Sequence, residues 1–198
     1  MLKRTYSKMN IKQKILKFLI ENKEKTFSMR ALSKILKIDY KLLYINLQKL
    51  EKDKSIEVEN LKNQKRCSFK DNFNEDVFIV ENERRNNILK KKEFKAIYEK
   101  LKVLNKQFIL ILFGSHVKGT ATKHSDIDLL LISHEGDARK IQEKLEILPL
   151  NIHLTPITYE SFIDMLKTKE QTVVSEALKK KIIFIGIEDY YRLIQNAK

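Results

Sequence analysis

The sequence has little that would tie it to a membrane or to an oxidising compartment. Its 198 residues include one cysteine, Cys67, so the chain can form neither an internal disulfide nor a cysteine metal cluster. The longest apolar runs, 108–113 and 129–132, are far shorter than the roughly 20 residues that cross a bilayer. No apolar stretch with a small-residue cleavage site follows the N-terminus. We therefore expect a cytoplasmic protein that does not contact the membrane.

The chain also lacks an even distribution of charge. The formal net charge is +14, yet residues 1–70 hold 19 Lys or Arg and 7 Asp or Glu, a net charge of +12. The remaining residues, 71–198, carry only +2. A basic surplus confined to the first third of the chain indicates a local surface that binds a polyanion.

Residues 1–72 are expected to form a small helical domain with a hairpin. Apolar spacing predicts a helix over 11–22, and Ser28 and Asp39 are the predicted N-caps of two further helices. Alternating residues within 56–69, with a basic run at the end, predict a β-hairpin. Three helices followed by a basic hairpin resemble a winged helix-turn-helix.

That resemblance implies that the third helix enters the major groove of double-stranded DNA. The predicted DNA-contacting residues are Tyr40, Lys41, Tyr44, Asn46 and Lys49 on this helix, with Lys62, Lys65 and Arg66 on the hairpin. Asn46 is expected to pair with an adenine edge, and the lysines to position the duplex on its phosphates. The alternative is a helical packing module whose charged face is solvated or contacts another protein.

Residues 73–106 contain neither Gly nor Pro and are predicted to form a helical connector. Asn74 is the expected cap of a helix that reaches Leu89, and apolar residues recur at helical spacing over 94–104. This stripe either packs against the sheet that follows or supports a homodimer.

A candidate phosphate site follows the connector. The apolar run 108–113 predicts a buried strand, and Gly114 and Ser115 end it abruptly. Glycine lets the backbone approach a ligand closely, and the Ser115 N–H and hydroxyl can bond phosphate oxygens. Gly119 permits a second tight approach, and a strand over 126–132 comes next.

Two carboxylates begin that second strand. Because side chains alternate along a strand, Asp126 and Asp128 are expected on the same face. Carboxylates so close together resist ionisation unless a cation compensates their charge. Mg²⁺, or Mn²⁺ in its place, is the natural cation, because Mg²⁺ prefers carboxylate and phosphate oxygens.

The run from Gly114 to Leu129 resembles the signature of the minimal nucleotidyltransferases, within the polymerase-β-like superfamily. It contains Gly-Ser, a glycine-containing loop and then Ser-Asp-x-Asp-Leu, which begins at Ser125. The resemblance covers residues 93–198. It implies an α+β fold in which helices flank a small mixed sheet. With the N-terminal part, the predicted domains are 1–72, 73–106 and 107–198.

The resemblance also implies a reaction. Gly114, Ser115, Gly119 and Ser125 would bind a nucleoside triphosphate, expected to be ATP, while Asp126 and Asp128 would hold two Mg²⁺ ions. The acceptor would attack the α-phosphate and pyrophosphate would leave, with the metal ions stabilising the charge on both oxygens.

The sequence departs from the family pattern at one position. Family enzymes usually carry a third acidic residue on a later strand, and the matching strand here is 150–155. Asn151 and His153 face the side where that carboxylate would lie. His153 is the remaining catalytic candidate, as a base near neutral pH. Glu135 and Asp137 are the other candidate acids. If neither approaches the Asp126/Asp128 pair, a nucleotide-sensing role is favoured over catalysis.

Two functions remain open. The first is a nucleotidyltransferase that transfers AMP to a protein or other hydroxyl, and the resemblance implies an antitoxin role beside a HEPN-type toxin. The second is a DNA-binding transcriptional regulator whose C-terminal domain senses a nucleotide or has lost catalysis. For the rest of the chain, helices are predicted over 135–148, after Thr158 and over 170–180, and a strand over 182–185.

Overall fold

The computed structural model describes residues 9–61, 64–168 and 172–197. The chain divides into two compact units, with the boundary between Val80 and Glu81. The predicted three-part division stays a prediction.

The first unit combines three helices with three short strands. Its elements are α1 (Ile11–Glu21), β1 (Phe27–Ser28), α2 (Met29–Leu36), α3 (Tyr40–Lys52), β2 (Ile56–Leu61) and β3 (Gln64–Phe69). Helix α4 (Glu75–Ile88) begins in this unit and ends in the second. The Ser28 side chain accepts the Ala31 N–H at 3.2 Å, and Asp39 accepts the Leu42 N–H at 3.1 Å. Both predicted caps are therefore confirmed.

The three strands form an antiparallel sheet in the order β1-β3-β2. Strand β1 has two residues and no periodicity of its own, so the sequence did not predict it. Leu16, Leu32 and Leu47 lie in the core of the unit. The hairpin of β2 and β3 agrees with prediction, while the assignment to the winged helix-turn-helix class stays a prediction.

The second unit is a four-stranded mixed sheet with helices, as expected for its α+β class. Its elements after α4 are α5 (Lys92–Leu101), β4 (Phe108–Leu112), α6 (Ser115–Lys118), β5 (Ile127–Ser133), α7 (Glu135–Glu146), β6 (Ile152–Ile157), α8 (Tyr159–Lys167), α9 (Val173–Lys179), β7 (Ile182–Ile185) and α10 (Ile187–Asn196). The strand order is β6-β5-β4-β7. Strands β5 and β6 are parallel, and the other two pairs are antiparallel.

The core of this unit lies between the sheet and its helices. All five residues of β4 are buried, which explains their unbroken apolar run. The stripe from the connector, Phe94, Ile97 and Leu101, belongs to the same core cluster as the strands. Packing against the sheet is therefore confirmed for this stripe, and the homodimer stays a prediction.

A buried ion pair connects α4 to the end of the chain. Arg84 donates to Glu81 at 2.6 Å and to the Lys181 carbonyl at 2.7 Å. The Tyr191 hydroxyl donates to the other Glu81 oxygen at 2.7 Å. Because Glu81 is only 1% exposed, these partners replace the water that its charge would otherwise require.

Candidate active site

Gly114 brings the loop after β4 directly against a carboxylate of β5. Its φ of 72° and ψ of −151° lie in a region that essentially only glycine adopts. A Cβ added here would stand 2.0 Å from Asp128 Oδ2. The Phe113 N–H donates to the Asp128 carbonyl at 3.1 Å, which fixes the strand pair at this point. The chain therefore needs glycine at this position.

The loop then forms a single helical turn, α6. The Gly119 N–H donates to the Ser115 carbonyl at 2.9 Å, and Gly119 has a left-handed φ of 81°. Lys118, the last residue of the turn, lies 2.7 Å from Glu176 of α9. The hydrogen bond and charge of Lys118 lower the pKa of Glu176, an exposed carboxylate.

The remainder of the loop is held by its own side chains. The Ser125 hydroxyl accepts the Thr122 N–H at 2.9 Å, and the Ser125 N–H donates to the Thr122 carbonyl at 3.3 Å. His116 Nε2 lies 3.3 Å from the Ser125 carbonyl, so it connects α6 to the residue before Asp126. Ser125 thus has a structural role in the loop, and its predicted contact with nucleotide stays a prediction.

The two predicted carboxylates lie at the start of β5, Asp126 directly before the strand and Asp128 within it, and each lies beside a residue at the start of β6. Asp128 is in register with His153, and His153 Nδ1 lies 3.3 Å from Asp128 Oδ1. The Asn151 amide donates to Asp126 Oδ1. Asp126 is exposed and Asp128 is half-buried, so both remain accessible to solvent. The parallel strand pair therefore brings four predicted residues to one place.

The acids that could have completed this pair lie elsewhere. Glu135 and Asp137 follow the opposite end of β5, and the five residue steps from Asp128 to Ser133 span about 16 Å of strand. Asp137 pairs there with Lys106 at 2.9 Å. Within residues 9–61, 64–168 and 172–197, no three His, Cys, Asp or Glu side chains form a group that could hold a metal ion.

The donor set nevertheless fits one magnesium ion that arrives with a nucleotide. Such an ion keeps several waters and takes one or two carboxylates together with substrate phosphates. Asp126 and Asp128 supply those carboxylates, and the close approach of Gly114 puts the loop beside them. A second ion would need a further carboxylate, and the start of β6 offers the Asn151 amide, directly before the strand, and the His153 imidazole instead.

The first unit presents most of the predicted DNA-contacting residues on its surface. Tyr40, Lys41, Lys49 and Lys65 are exposed, whereas Tyr44 and Arg66 are half-buried. These positions suit a surface that contacts a partner.

Asn46 was expected on the outward face of α3, but only 9% of it is exposed, and its amide donates to the Leu42 carbonyl at 2.8 Å. The expectation that Asn46 faces outward is therefore wrong. Lys62 lies outside the described residues.

The structure adds one residue that the sequence did not single out. Arg30, at the start of α2, lines a groove of about 1090 Å³ together with Tyr40, Tyr44 and Lys65. Only its basic charge could have indicated it.

Comparison with known proteins finds one similarity, which lies within the second unit. Residues 95–184 match the family described as nucleotidyltransferase domain, and this stretch contains Gly114, Asp126 and Asp128. Neither the curated proteins nor the solved structures contain a match. This part of the chain is therefore similar to nucleotidyltransferase domains, which act on nucleotides. Within the described residues, no helix is long and apolar enough to span a membrane.

Proposed function

We propose that the second unit binds a nucleoside triphosphate with one divalent metal ion and transfers its nucleoside monophosphate to a hydroxyl acceptor. The observation that carries this proposal is the contact of Gly114 with the Asp128 carboxylate. At this contact the proposed phosphate-binding loop lies against the proposed metal-binding pair, with no room for even a Cβ between Gly114 and Asp128. The family match of residues 95–184 supports the same reaction class.

Each part of the site has a role in this proposal. Asp126 and Asp128 hold the metal ion, which neutralises phosphate charge when bound. The Ser115 N–H and hydroxyl, at the start of α6, bond the terminal phosphates. Lys118 lies one turn further along and adds a positive charge to the same loop.

Asn151, directly before β6, and His153, within it, position the carboxylates. Asn151 donates to Asp126, and His153 lies beside Asp128 with 67% of its side chain exposed. His153 can therefore also reach an acceptor hydroxyl and take its proton, which is the role we assign to it. In the reaction the acceptor oxygen bonds to the α-phosphorus, the bond to the bridging oxygen breaks, and pyrophosphate leaves.

The identity of the acceptor follows only from the resemblance. We propose ATP as the nucleotide and a protein hydroxyl as the acceptor, with a HEPN-type toxin as the candidate partner. Transfer would then place AMP on that partner.

The test is calorimetric titration of Mg·ATP into the wild type and into Asp126→Asn/Asp128→Asn, followed by incubation with α-labelled ATP. We expect the wild type to bind and the variant to lose binding, because asparagine preserves size and removes charge. Glu143→Gln is the matched control, since Glu143 is an exposed acid of α7 paired with Arg139. Equal binding by the variant and the wild type would refute the site.

A second candidate function is the recognition of double-stranded DNA by the first unit, as in a transcriptional regulator. Two observations favour it: the net charge of +12 over residues 1–70 and the groove that Arg30 and Lys65 line. Lys65→Glu/Arg66→Glu should weaken duplex binding and flatten its dependence on salt, because fewer counterions are released. Unchanged binding would remove the hairpin from the interface.

A further inference from the structure

Helix α3 has a buried side that consists mainly of leucines and an outward side that combines basic and apolar residues. Leu43, Leu47 and Leu50 are at most 1% exposed and define the buried side. Ile45 lies opposite them, and its neighbours one turn away on either side are Lys41 and Lys49. An apolar side chain therefore stands at the centre of a basic helical face.

This apolar character is not confined to one residue. Ile45 is 41% exposed, and Leu42, three positions earlier on the same side, is 40% exposed. Both are large aliphatic side chains that remain in water although the unit has a well-packed core. Two exposed aliphatic side chains on one side of a helix provide an apolar area that a partner could cover.

The groups that could read bases by hydrogen bonds are few on this face. The Asn46 amide is bonded within its own helix, and the Gln48 amide donates to the Tyr44 hydroxyl at 3.2 Å. The cations that flank Ile45, Lys41 and Lys49, are suited to phosphates as point charges. The apolar pair is thus left at the centre of the face, where base edges would lie.

The positive charge of the first unit indicates which kind of partner covers this face. A surface with a net charge of +12 over residues 1–70 complements a nucleic acid duplex. The thymine C5-methyl is the apolar group that the major groove presents, and aliphatic side chains contact it.

We propose that Leu42 and Ile45 contact thymine methyl groups, so that the first unit recognises thymine-containing DNA through apolar contacts. This inference rests on the DNA binding proposed above.

The experiment compares two duplexes that differ only in this methyl group. Full-length protein is titrated, at one fixed salt concentration, into fluorescent alternating d(A-T) and d(A-U) duplexes of equal length. The phosphates and the base-pairing groups are the same in both. We expect the wild type to bind the uracil duplex about fourfold more weakly for each methyl group that the protein would otherwise cover.

Variants then assign the effect to residues. Leu42→Ala/Ile45→Ala should bind both duplexes equally, because the side chains that touch the methyl groups are gone. Lys49→Gln is the matched control from the same face, and it should weaken both duplexes by the same factor and keep their ratio. Alanine at two exposed helical positions preserves α3, which circular dichroism checks.

The outcomes separate the two proposals. Binding of neither duplex removes DNA recognition and this inference with it. Equal binding of both duplexes by the wild type leaves DNA recognition in place and overturns the methyl contact. A ratio that persists in the double alanine variant overturns the assignment to Leu42 and Ile45, and would leave this face for contact with a protein.

Discussion

Replacement of Gly114 by alanine tests the contact between the loop and the metal-binding pair. At φ 72° and ψ −151° a side chain costs about 1–3 kcal/mol of conformational strain. The new Cβ would also stand 2.0 Å from Asp128 Oδ2 and 2.9 Å from Asp128 Cγ. Since a non-bonded carbon and oxygen do not approach so closely, either the carboxylate turns away or the loop lifts. Both movements separate the phosphate loop from Asp128.

We therefore expect Gly114→Ala to lose Mg·ATP binding and about 1–3 kcal/mol of unfolding free energy. Calorimetry measures the first, and urea unfolding followed by circular dichroism measures the second. Gly119→Ala is the matched control: Gly119 also has a positive φ, 81°, but its added Cβ would meet nothing within 4 Å. It should lose about 1–2 kcal/mol of unfolding free energy and weaken nucleotide binding less than Gly114→Ala does, because its Cβ would not displace Asp128.

Two results would refute this reasoning. Normal nucleotide binding by Gly114→Ala would mean that the loop and Asp128 do not act as one site. Equal loss of binding in both variants would mean that backbone strain, and not the contact with Asp128, is responsible.

Three further predictions concern the rest of the chain. Arg84→Met should lower the unfolding free energy by about 3–5 kcal/mol, because it leaves a buried glutamate unpaired, whereas Arg192→Met removes an exposed ion pair and should cost under about 1 kcal/mol; urea unfolding compares them, and equal losses would contradict the burial argument. Glu176→Gln should tighten Mg·ATP binding by up to about fivefold, because it frees Lys118 for phosphate, and weaker binding in calorimetry would oppose this. Burial raises the pKa of Cys67 to about 11, so its thiol should resist a disulfide reagent at neutral pH until urea exposes it, and rapid labelling of the folded protein would show that the first unit opens.

Much of the candidate site follows from the sequence because it depends on local periodicity. Alternation along a strand placed Asp126 and Asp128 on one side, and the same rule placed Asn151 and His153 together. The parallel pairing of β5 with β6 then brought the two sets into contact. The contact of Gly114 with Asp128 could not be predicted, because it depends on how β4 and β5 align.

The error at Asn46 had a signal in the sequence. Position 46 lies three residues after Leu43 and four before Leu50, so the spacing that buries both leucines also buries the residue between them. A polar side chain can occupy such a position when it bonds the backbone four residues earlier, as Asn46 does with the Leu42 carbonyl. Helical position, and not residue type, therefore decides the burial of Asn46.

Nucleotide binding and nucleotidyl transfer differ in the number of acidic groups that they require at this site. Asp126 and Asp128 contribute two negative charges, and the Asn151 amide beside them contributes none. Two carboxylates suit the single ion that travels with a triphosphate, whereas a second ion would bring two more positive charges with no described acid to meet them. Nucleotide binding therefore requires fewer acidic residues than turnover does. Binding without transfer would favour a nucleotide-sensing regulator, whereas transfer would indicate that His153 serves as the base in place of the missing acidic group.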